Sequence, residues 1–351
     1  MTPKQKTPAE LGFRMPAEWE PREATWLAWP YNLKTWGSHL EGAEAAMAEY
    51  IKVLAKHERI DLLVAHEGVE QRARKLLDPL GLRDDQLRYH QVESGDVWIR
   101  DYGPIFVVSD KGGKHEVAWT KWTYNALGMP EEYADLLPGD AVPDALPLKG
   151  MKKFDGKMVL EGGSIDVNGT GTLLTTESCL LSDTRNPDMT KEQIEKRLHD
   201  YLGVTNVLWL SAGIEGDDTS GHIDDLTRFV GQSTVVTVVE TDPKDENYAT
   251  LQENSARLRG MKDEKGTPLT VIEMPMPKPF IVDGRRMAAS YANFYIGAKS
   301  VLVPVYSQPS DAVALKILKG CFPDRNVVGI DCREFIWGYG SIHCSSQQQP
   351  A

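Results

Sequence analysis

The sequence predicts a single α/β domain built from about five ββαβ units. Four segments have an apolar run, a short polar or glycine-containing turn and a second run rich in Val, Leu or Thr, which is the pattern of a β-hairpin. They begin at Ile105, Ile165, Phe229 and Phe294 and therefore lie 60, 64 and 65 residues apart. A repeat of this length fits the 351 residues of the chain about five times.

Segments with helical periodicity separate the hairpins. In residues 189–202, Ile194, Leu198 and Leu202 recur on one face of a helix. Three further stretches have a similar pattern, and each of the four is soon followed by an apolar run typical of a strand. The helical stretches are 41–57, 189–202, 245–260 and 309–320, and the strand candidates are Ile60–Ala65, Val207–Leu210, Leu269–Met274 and Val327–Ile330.

The two ends of the chain supply the fifth unit in this interpretation. Thr25–Trp29 is expected to pair with Gly340–Cys344, which would join the ends and remove open sheet edges. Two separate α+β domains are the alternative. No linker rich in Pro, Ser or Gly and no low-complexity tract marks a boundary, so we expect residues 1–351 to form one domain.

Composition argues against several classes of protein. The 39 Lys and Arg residues and 51 Asp and Glu residues give a net charge of −12, which argues against nucleic-acid binding because phosphate recognition needs clustered cations. No apolar run is long enough to cross a membrane, and no apolar segment typical of a secretion signal follows the first residues. The four cysteines form no CxxC pair, and a cytoplasmic location is expected.

Cys344 is the first candidate for chemistry. It lies between turn-forming glycines and a polar Ser/Gln tail, whereas Cys179 stands beside an apolar run, as a structural cysteine does. His343 is adjacent to Cys344, but neighbouring residues of a strand point to opposite faces. We therefore do not expect His343 to be the base for Cys344.

The segment Gly221-His-Ile-Asp-Asp225 precedes the third hairpin. On a strand, His222 and Asp224 would lie on one face. There they would either carry a proton beside an anion or ligate a metal. A capped turn with solvated charges is the alternative.

Two carboxylates precede the first and second hairpins. Asp101 is expected to end an extended stretch and follows Trp98 by three residues, and an aromatic plane beside a carboxylate suits a flat cation. A local ion pair that involves Arg100 is the alternative. Glu161 is followed by two glycines, which let a ligand approach the backbone closely.

The spacing of these residues matches the hairpin period. Asp101, Glu161 and His222 lie 60 and 61 residues apart, and a further 122 residues lead to Cys344. In a ring of repeats, equivalent positions converge on one axis, where Asp101 and Asp224 would hold a guanidinium side-on. Cys344 would attack its central carbon, and His222 would protonate the departing amine and then activate water. Glu161 would orient His222 and favour its protonated form.

These motifs resemble those of the agmatine deiminase and bacterial peptidylarginine deiminase family of the guanidino-group-modifying, or pentein, superfamily. The resemblance covers nearly the whole chain. It rests on Thr25-Trp-Leu-Ala-Trp-Pro30, Trp98-Ile-Arg-Asp-Tyr-Gly-Pro104, Leu160-Glu-Gly-Gly-Ser164, Gly221-His-Ile-Asp-Asp225, Ser290-Tyr-Ala-Asn-Phe-Tyr295, and Ser341-Ile-His-Cys344 with its glutamine tail.

The resemblance implies a five-bladed, pseudo-symmetric α/β propeller (the pentein fold) with a cysteine nucleophile, no metal or other cofactor, and a homodimer as a possible assembly. It also implies roles for the residues that match its motifs: nucleophile for Cys344, acid and base for His222, guanidinium clamps for Asp101 and Asp224, active-site glutamate for Glu161, and substrate contacts for Trp98 and Gly340. The family has three glycines where this chain has Gly338-Tyr339-Gly340. Tyr339 is expected to narrow the substrate channel or to replace a substrate contact.

The reaction expected from this resemblance is hydrolysis of agmatine to N-carbamoylputrescine and ammonia through an S-alkylthiouronium intermediate on Cys344. Formation of citrulline from peptidylarginine or free arginine is the alternative. The tail of the small cationic substrate distinguishes them, because an amine pairs with a carboxylate and a carboxylate pairs with Arg or Lys. Glu23, Asp217 and Asp218 are acidic candidates for the channel mouth, and Arg22 is a basic one.

Two hypotheses of a different class stay open. His222, Asp224, Glu161 and Cys344 would be the ligands of a metal hydrolase, although no HExxH or CxxC spacing supports this. A non-catalytic pentein that only binds its ligand is the second. The catalytic hypothesis carries its own prediction, which is that protonated His222 lowers the pKa of Cys344.

Overall fold

The structure is a computed structural model that describes residues 6–351. The strands of this part of the chain are β1 (Arg22–Ala28), β2 (Arg59–Val64), β3 (Leu87–Gln91), β4 (Ile105–Ser109), β5 (Glu116–Thr123), β6 (Lys152–Val159), β7 (Asp166–Val167), β8 (Thr172–Thr176), β9 (Asn206–Leu210), β10 (Thr227–Gly231), β11 (Thr234–Val239), β12 (Thr270–Pro275), β13 (Ile281–Val282), β14 (Arg285–Arg286), β15 (Tyr295–Ile296), β16 (Ser300–Val305), β17 (Asn326–Asp331) and β18 (Ser346–Pro350).

The helices connect the strands. They are α1 (Pro8–Leu11), α2 (Leu33–Trp36), α3 (Leu40–Leu54), α4 (Glu67–Leu77), α5 (Ile99–Tyr102), α6 (Val142–Ala145), α7 (Glu177–Leu180), α8 (Lys191–Leu202), α9 (Tyr248–Gly260) and α10 (Pro309–Cys321). Short 3-10 turns occur as well, including Gly162–Ser164, Ile223–Asp225 and Phe335–Gly338. Within residues 6–351 no helix is both long enough and apolar enough to cross a membrane.

Five sheets share one pairing pattern. In each sheet one strand pairs antiparallel with a neighbour on one side and parallel with a neighbour on the other. The strand orders are β18-β1-β2-β3, β4-β5-β6, β7-β8-β9, β10-β11-β12 and β15-β16-β17, and β13 and β14 form a separate small hairpin. In the described residues none of these sheets closes on itself.

The predicted repeat is confirmed at the level of single units. All four predicted hairpins are antiparallel strand pairs, and the strand candidates after the predicted helices pair in parallel with β1, β8, β11 and β16. A parallel pair needs a long crossover, and α3, α8, α9 and α10 provide it in four sheets. The β5–β6 crossover contains only short helical turns, and β3, α4 and β6 were not predicted.

Helix α8 illustrates how the local sequence defines these elements. Thr190 and Gln193 form a capping box at its N-terminus, and Gly203 ends it with φ 68°, a left-handed conformation that glycine adopts without steric cost. Ile194, Leu198 and Leu202 are completely buried. The predicted apolar face is therefore the face that packs on the sheets.

The ends of the chain meet, but the predicted register is wrong. β1 pairs antiparallel with β18, with Leu27 opposite Ser346 and Thr25 opposite Gln348. The predicted partner, Gly340–Cys344, forms turns instead. The reason lies in the 3-10 turn before it and in Tyr339, whose φ of 71° is incompatible with an extended strand.

Candidate active site

Polar side chains converge from the turns that precede four strands. Asp101 lies in α5, before β4. Glu161 immediately precedes the 3-10 turn before β7, and His222 immediately precedes the one before β10. Cys344 lies in the turn before β18. Each turn lies next to the end of a strand. Side chains at the same position of successive repeats therefore lie close together.

Two of the predicted local conformations are wrong. His222 and Asp224 do not share a strand, because Ile223–Asp225 forms a 3-10 turn. Asp101 does not end an extended stretch but lies in the short helix α5. The residues still meet, because the repeat position and not the strand face brings them together.

Cys344 is buried, with 3% of its surface exposed. Its sulfur accepts a hydrogen bond from Asn293 Nδ2 at 3.0 Å and lies 3.5 Å from Asp224 Oδ2. The backbone carbonyl of Cys344 accepts a hydrogen bond from the amide of Arg100 at 3.1 Å. These contacts hold the thiol in one orientation between carboxylates.

The environment keeps the thiol protonated. Burial raises the pKa of Cys344 well above its ordinary value, and the nearby charges of Asp224, Asp225 and Asp101 raise it further. The predicted lowering of this pKa by His222 is therefore wrong, because burial and the carboxylates raise it.

His222 is fully buried beside Asp101. Its Nδ1 lies 3.6 Å from Asp101 Oδ1, and that oxygen accepts a hydrogen bond from the Gly163 amide at 3.0 Å. A Cβ on Gly163 would lie 2.6 Å from the imidazole and 2.7 Å from Asp101. Glycine is required here because the turn fits between the two side chains.

The two groups influence each other's protonation. Burial lowers the pKa of His222, but Asp101, the thiol of Cys179 and Glu161 together raise it well above the ordinary value. Burial, together with the charges of Asp224 and Glu161, raises the pKa of Asp101 to about 7, although His222 opposes this effect. The imidazole is therefore a proton donor at neutral pH.

Glu161 lies behind His222 and is held by an arginine. Arg185 Nε donates a hydrogen bond to Glu161 Oε1 at 2.7 Å, and both side chains are fully buried. The carbonyl of Thr219 accepts a further bond from the same guanidinium at 3.0 Å. Cys179 is fully buried, as its sequence context predicts. It also lies beside the site, because Glu161, Cys179 and His222 place their ligating atoms within 4.8 Å of one another.

His343 anchors Asp224. Its Nδ1 lies 2.7 Å from Asp224 Oδ2 and its Nε2 lies 2.7 Å from Glu18 Oε2. Burial raises the pKa of Asp224, but the hydrogen bond and charge of His343, with His222 and Arg228, bring it below the ordinary value. His343 is not bonded to the Cys344 sulfur, as expected, but it positions the adjacent carboxylate, a role that the sequence analysis missed.

A cavity of about 280 Å³ leads to the sulfur. Trp98, Asp101, Gly340 and Cys344 are among the residues that line it. A Cβ on Gly340 would lie 2.7 Å from the Trp98 ring and 3.2 Å from the Cys344 sulfur. The predicted substrate-contacting residues therefore lie around the thiol, and Gly340 keeps the approach to it open.

Asp218 is one of the four candidates for the channel mouth, and it lines this cavity. Tyr133 donates a hydrogen bond to Asp218 Oδ2 at 2.8 Å. Arg22 is 3.6 Å from Glu58 and bonded to Tyr295 in the interior. Glu23 pairs with Arg59, and Asp217 caps Thr219.

The mouth also carries two cations and Tyr339. Lys34 and Arg285 line the cavity, and Lys34 lies 3.3 Å from Asp135. The Arg285 guanidinium lies 4.9 Å from the centre of the Tyr339 ring, a distance typical of a cation–π contact. Tyr339, the departure from the family pattern, is therefore part of the channel wall.

The residues of the metal hypothesis divide between two groups. Glu161 and His222 lie with Cys179, and Asp224 and Cys344 lie with Asp225. The predicted set of four ligands is thus not one tetrahedral cluster, although each group of three has donor atoms within 4.8 Å of one another.

Five sheets of one pairing pattern bring a buried thiol, an imidazole and carboxylates together at their turns, which is the composition of a cysteine-dependent enzyme site. The family model described as "Porphyromonas-type peptidyl-arginine deiminase" matches residues 14–350. The chain therefore belongs to this family.

Close relatives have the same extent. The agmatine deiminase of Stutzerimonas stutzeri (strain A1501) is 38% identical over 373 residues, which cover 100% of this chain and 99% of the relative. The structure of the Enterococcus faecalis agmatine deiminase superposes with a TM-score of 0.91 at 34% identity and covers 99% of this chain and 98% of its own. The C. jejuni agmatine deiminase superposes with a TM-score of 0.81 at 28% identity, covering 97% and 96%.

Proposed function

We propose that the protein is an agmatine deiminase, which hydrolyses agmatine to N-carbamoylputrescine and ammonia. The observation that carries this proposal is that Cys344 lines a cavity together with acidic residues that include Asp101 and Asp218, while Asp224 lies 3.5 Å from its sulfur. Such a cavity suits a molecule with a cation at each end. The agmatine deiminases among the relatives support the same substrate.

Substrate binding activates the nucleophile in this mechanism. A guanidinium between Asp101 and Asp224 places a positive charge beside the sulfur, which reverses the electrostatic effect of the carboxylates. The Cys344 thiol then loses its proton to the medium. The thiolate attacks the guanidinium carbon, a C–S bond forms, and a C–N π pair moves to nitrogen to give a neutral tetrahedral adduct.

His222 serves both halves of the reaction. The protonated imidazole gives its proton to one nitrogen of the adduct, the C–N bond breaks, and ammonia leaves an S-alkylthiouronium on Cys344. The neutral imidazole then takes a proton from water, and the hydroxide adds to the same carbon. The C–S bond breaks, and the thiolate recovers a proton from the carbamoyl product.

The second end of the substrate distinguishes agmatine from arginine. Burial and the charge of Asp217 raise the pKa of Asp218 to about 7, against the opposing effect of the Tyr133 hydrogen bond. A cationic amine beside Asp218 would favour its charged form. Arg285 is the observation that favours the alternative, because its guanidinium would pair with the carboxylate of arginine or of a C-terminal arginyl peptide.

Assays of agmatine, L-arginine and a C-terminal arginyl peptide side by side test the proposal. We expect agmatine to have the highest kcat/KM, and Asp218→Asn to raise its KM about tenfold with less effect on arginine. Asp135→Asn is the matched control, since Asp135 lines the same cavity but is already paired with Lys34. A preference for arginine or the peptide would contradict the proposal.

A cysteine mechanism also differs from a metal mechanism in its response to chelators. We expect turnover to persist after dialysis against EDTA and to be lost in Cys344→Ser. Loss of activity in EDTA with recovery on adding a divalent metal would favour the metal hydrolase, and full turnover by Cys344→Ser would favour a site in which Cys344 is not the nucleophile.

We propose further that the five sheets are the blades of one pseudo-symmetric, five-bladed α/β propeller and that residues 1–351 form a single domain. The antiparallel pairing of β1 with β18 supports this, because it joins the first and last parts of the chain. A single cooperative unfolding transition is the expected result. A homodimer and a cytoplasmic location remain predictions, and size-exclusion chromatography with light scattering tests the first.

A further inference from the structure

The turn before β15 contributes an uncharged residue to the site. Asn293 is 1% exposed, and its Nδ2 lies 3.0 Å from both the Cys344 sulfur and Asp225 Oδ1. Its Oδ1 accepts bonds from Ser341 Oγ at 2.9 Å, the His343 amide at 3.0 Å and the Cys344 amide at 3.3 Å. One side chain thus holds both the backbone and the sulfur of Cys344.

These contacts fix the orientation of the amide. Two backbone N–H groups and a hydroxyl point at one end of the Asn293 side chain, and N–H groups can only donate. The oxygen must therefore face them, and the NH₂ group must face Cys344 and Asp225.

We propose that Asn293 is a further catalytic residue, whose amide N–H holds the Cys344 sulfur at the point of attack and donates a hydrogen bond to the attacking thiolate. This inference rests on the proposed function, because the thiolate is an intermediate of the proposed hydrolysis of agmatine. The contact is with the reacting atom itself. The amide gains and loses no proton, since it stabilises the thiolate before the C–S bond forms and again when that bond breaks.

A neutral donor suits this position. Asp224 and Asp225 both lie near the sulfur, and a cationic donor would pair with them and weaken their hold on a guanidinium. An amide stabilises the thiolate and leaves the charge of the clamp unchanged. Burial raises the pKa of Asp225 well above its ordinary value, and the charges of Asp224 and Asp217 raise it further.

Asn293→Asp is the sharpest variant. One carboxylate oxygen still accepts the three bonds from Ser341, His343 and Cys344, while the other replaces the donor with an anion that faces the sulfur. Asn293→Ala removes all of these side-chain contacts and keeps the bond from the His343 amide to the backbone carbonyl of residue 293. Asn254→Ala is the control for loss of a buried asparagine, since Asn254 bonds only the backbone of Ser211 and Ala212.

We expect both Asn293 variants to lower kcat for agmatine by about 10²-fold, the loss typical of one catalytic hydrogen-bond donor. The KM should change little, because the carboxylates remain. The acid limb of the kcat/KM–pH profile should move to higher pH, and 2-chloroacetamidine should alkylate Cys344 more slowly. Asn254→Ala should alter only stability. A folded Asn293 variant with kcat within about threefold of wild type and an unmoved profile would overturn the proposal.

Two measurements keep this inference separate from the proposed function. If the wild type hydrolyses no guanidine, the proposed function fails, and the alkylation rates still test Asn293, because equal rates in wild type and variant would overturn its role. If neither variant folds, a crystal structure of the wild-type protein alkylated on Cys344 by 2-chloroacetamidine tests the inference instead. The Nδ2–Sγ separation should stay within hydrogen-bond reach, and a separation beyond about 4 Å, the limit for a bond to sulfur, would overturn the inference.

Discussion

Replacing Asp224 with asparagine should have opposite effects on thiol reactivity and on turnover. The carboxylate oxygen lies 3.5 Å from the Cys344 sulfur, and the two side chains are almost completely buried. At this 3.5 Å separation and an effective dielectric constant of about 20, the repulsion between carboxylate and thiolate is about 5 kcal/mol. Its removal would lower the thiol pKa by at most about three and a half units.

The gain in reactivity is smaller than this shift in pKa. A thiolate of lower basicity is also a weaker nucleophile, so alkylation at neutral pH should become about 10- to 50-fold faster. Turnover should fall by about 10²-fold or more, because one side of the guanidinium clamp has lost its charge. The asparagine oxygen can still accept the hydrogen bond from His343.

Alkylation by iodoacetamide, which is uncharged, measures the first effect. The rate at Cys344 is followed by mass spectrometry of its peptide in wild type, Asp224→Asn and Asp217→Asn. Asp217 belongs to the same segment but is not among the groups that raise the thiol pKa, so its variant should react like wild type. Slower alkylation of Cys344 in Asp224→Asn, or retained turnover, would refute this reasoning.

Alanine at Gly340 should remove most turnover, since its Cβ would lie 2.7 Å from the Trp98 ring and 3.0 Å from the Cβ of Cys344; wild-type kcat in this variant would contradict the site geometry. Tyr339 has a left-handed backbone conformation with φ 71°, which glycine adopts without steric cost, so Tyr339→Gly should raise the melting temperature. The variant should also raise the kcat/KM of bulkier guanidines relative to agmatine. Unchanged selectivity would exclude the tyrosine from the channel wall. Burial raises the pKa of Asp96 to about 7. Below that pH the folded protein holds a proton on Asp96 that the unfolded chain has already lost, so the free energy of unfolding falls as the pH rises toward 7. Asp96→Asn should therefore stabilise more at pH 8 than at pH 5, by up to about 3 kcal/mol in urea unfolding, and an equal effect at both pH values would contradict that pKa.

The sequence predicted the repeat because each unit carries its own local signals. Hairpin turns, helical periodicity and apolar runs depend on neighbouring residues, and they recur at a constant spacing. Cys344 was predicted from its local context, and the spacing of Cys344, His222 and Asp101 followed that repeat. The predicted register between the two ends of the chain was wrong for two reasons. The turn at Tyr339 has no apolar pattern, and the polar glutamine tail lacks the apolar residues typical of a buried strand.

The residues that were missed act through contacts between distant parts of the chain. Glu18 meets His343 across 325 positions, and Arg185 meets Glu161 across 24. No local pattern predicts such pairs. Asn293 stands directly before the fourth hairpin, and this position is a usable signal. It was not predicted as a site residue because an uncharged amide does not indicate catalysis as directly as a thiol or a carboxylate does.

Trapping the covalent intermediate tests the central claim most directly. Wild-type protein is mixed with agmatine, quenched in acid within the first turnover, digested and analysed by mass spectrometry. The peptide that contains Cys344 should gain the mass of agmatine less ammonia, and the adduct should decay as N-carbamoylputrescine appears. Turnover of agmatine with no adduct on Cys344 at any time would contradict the account.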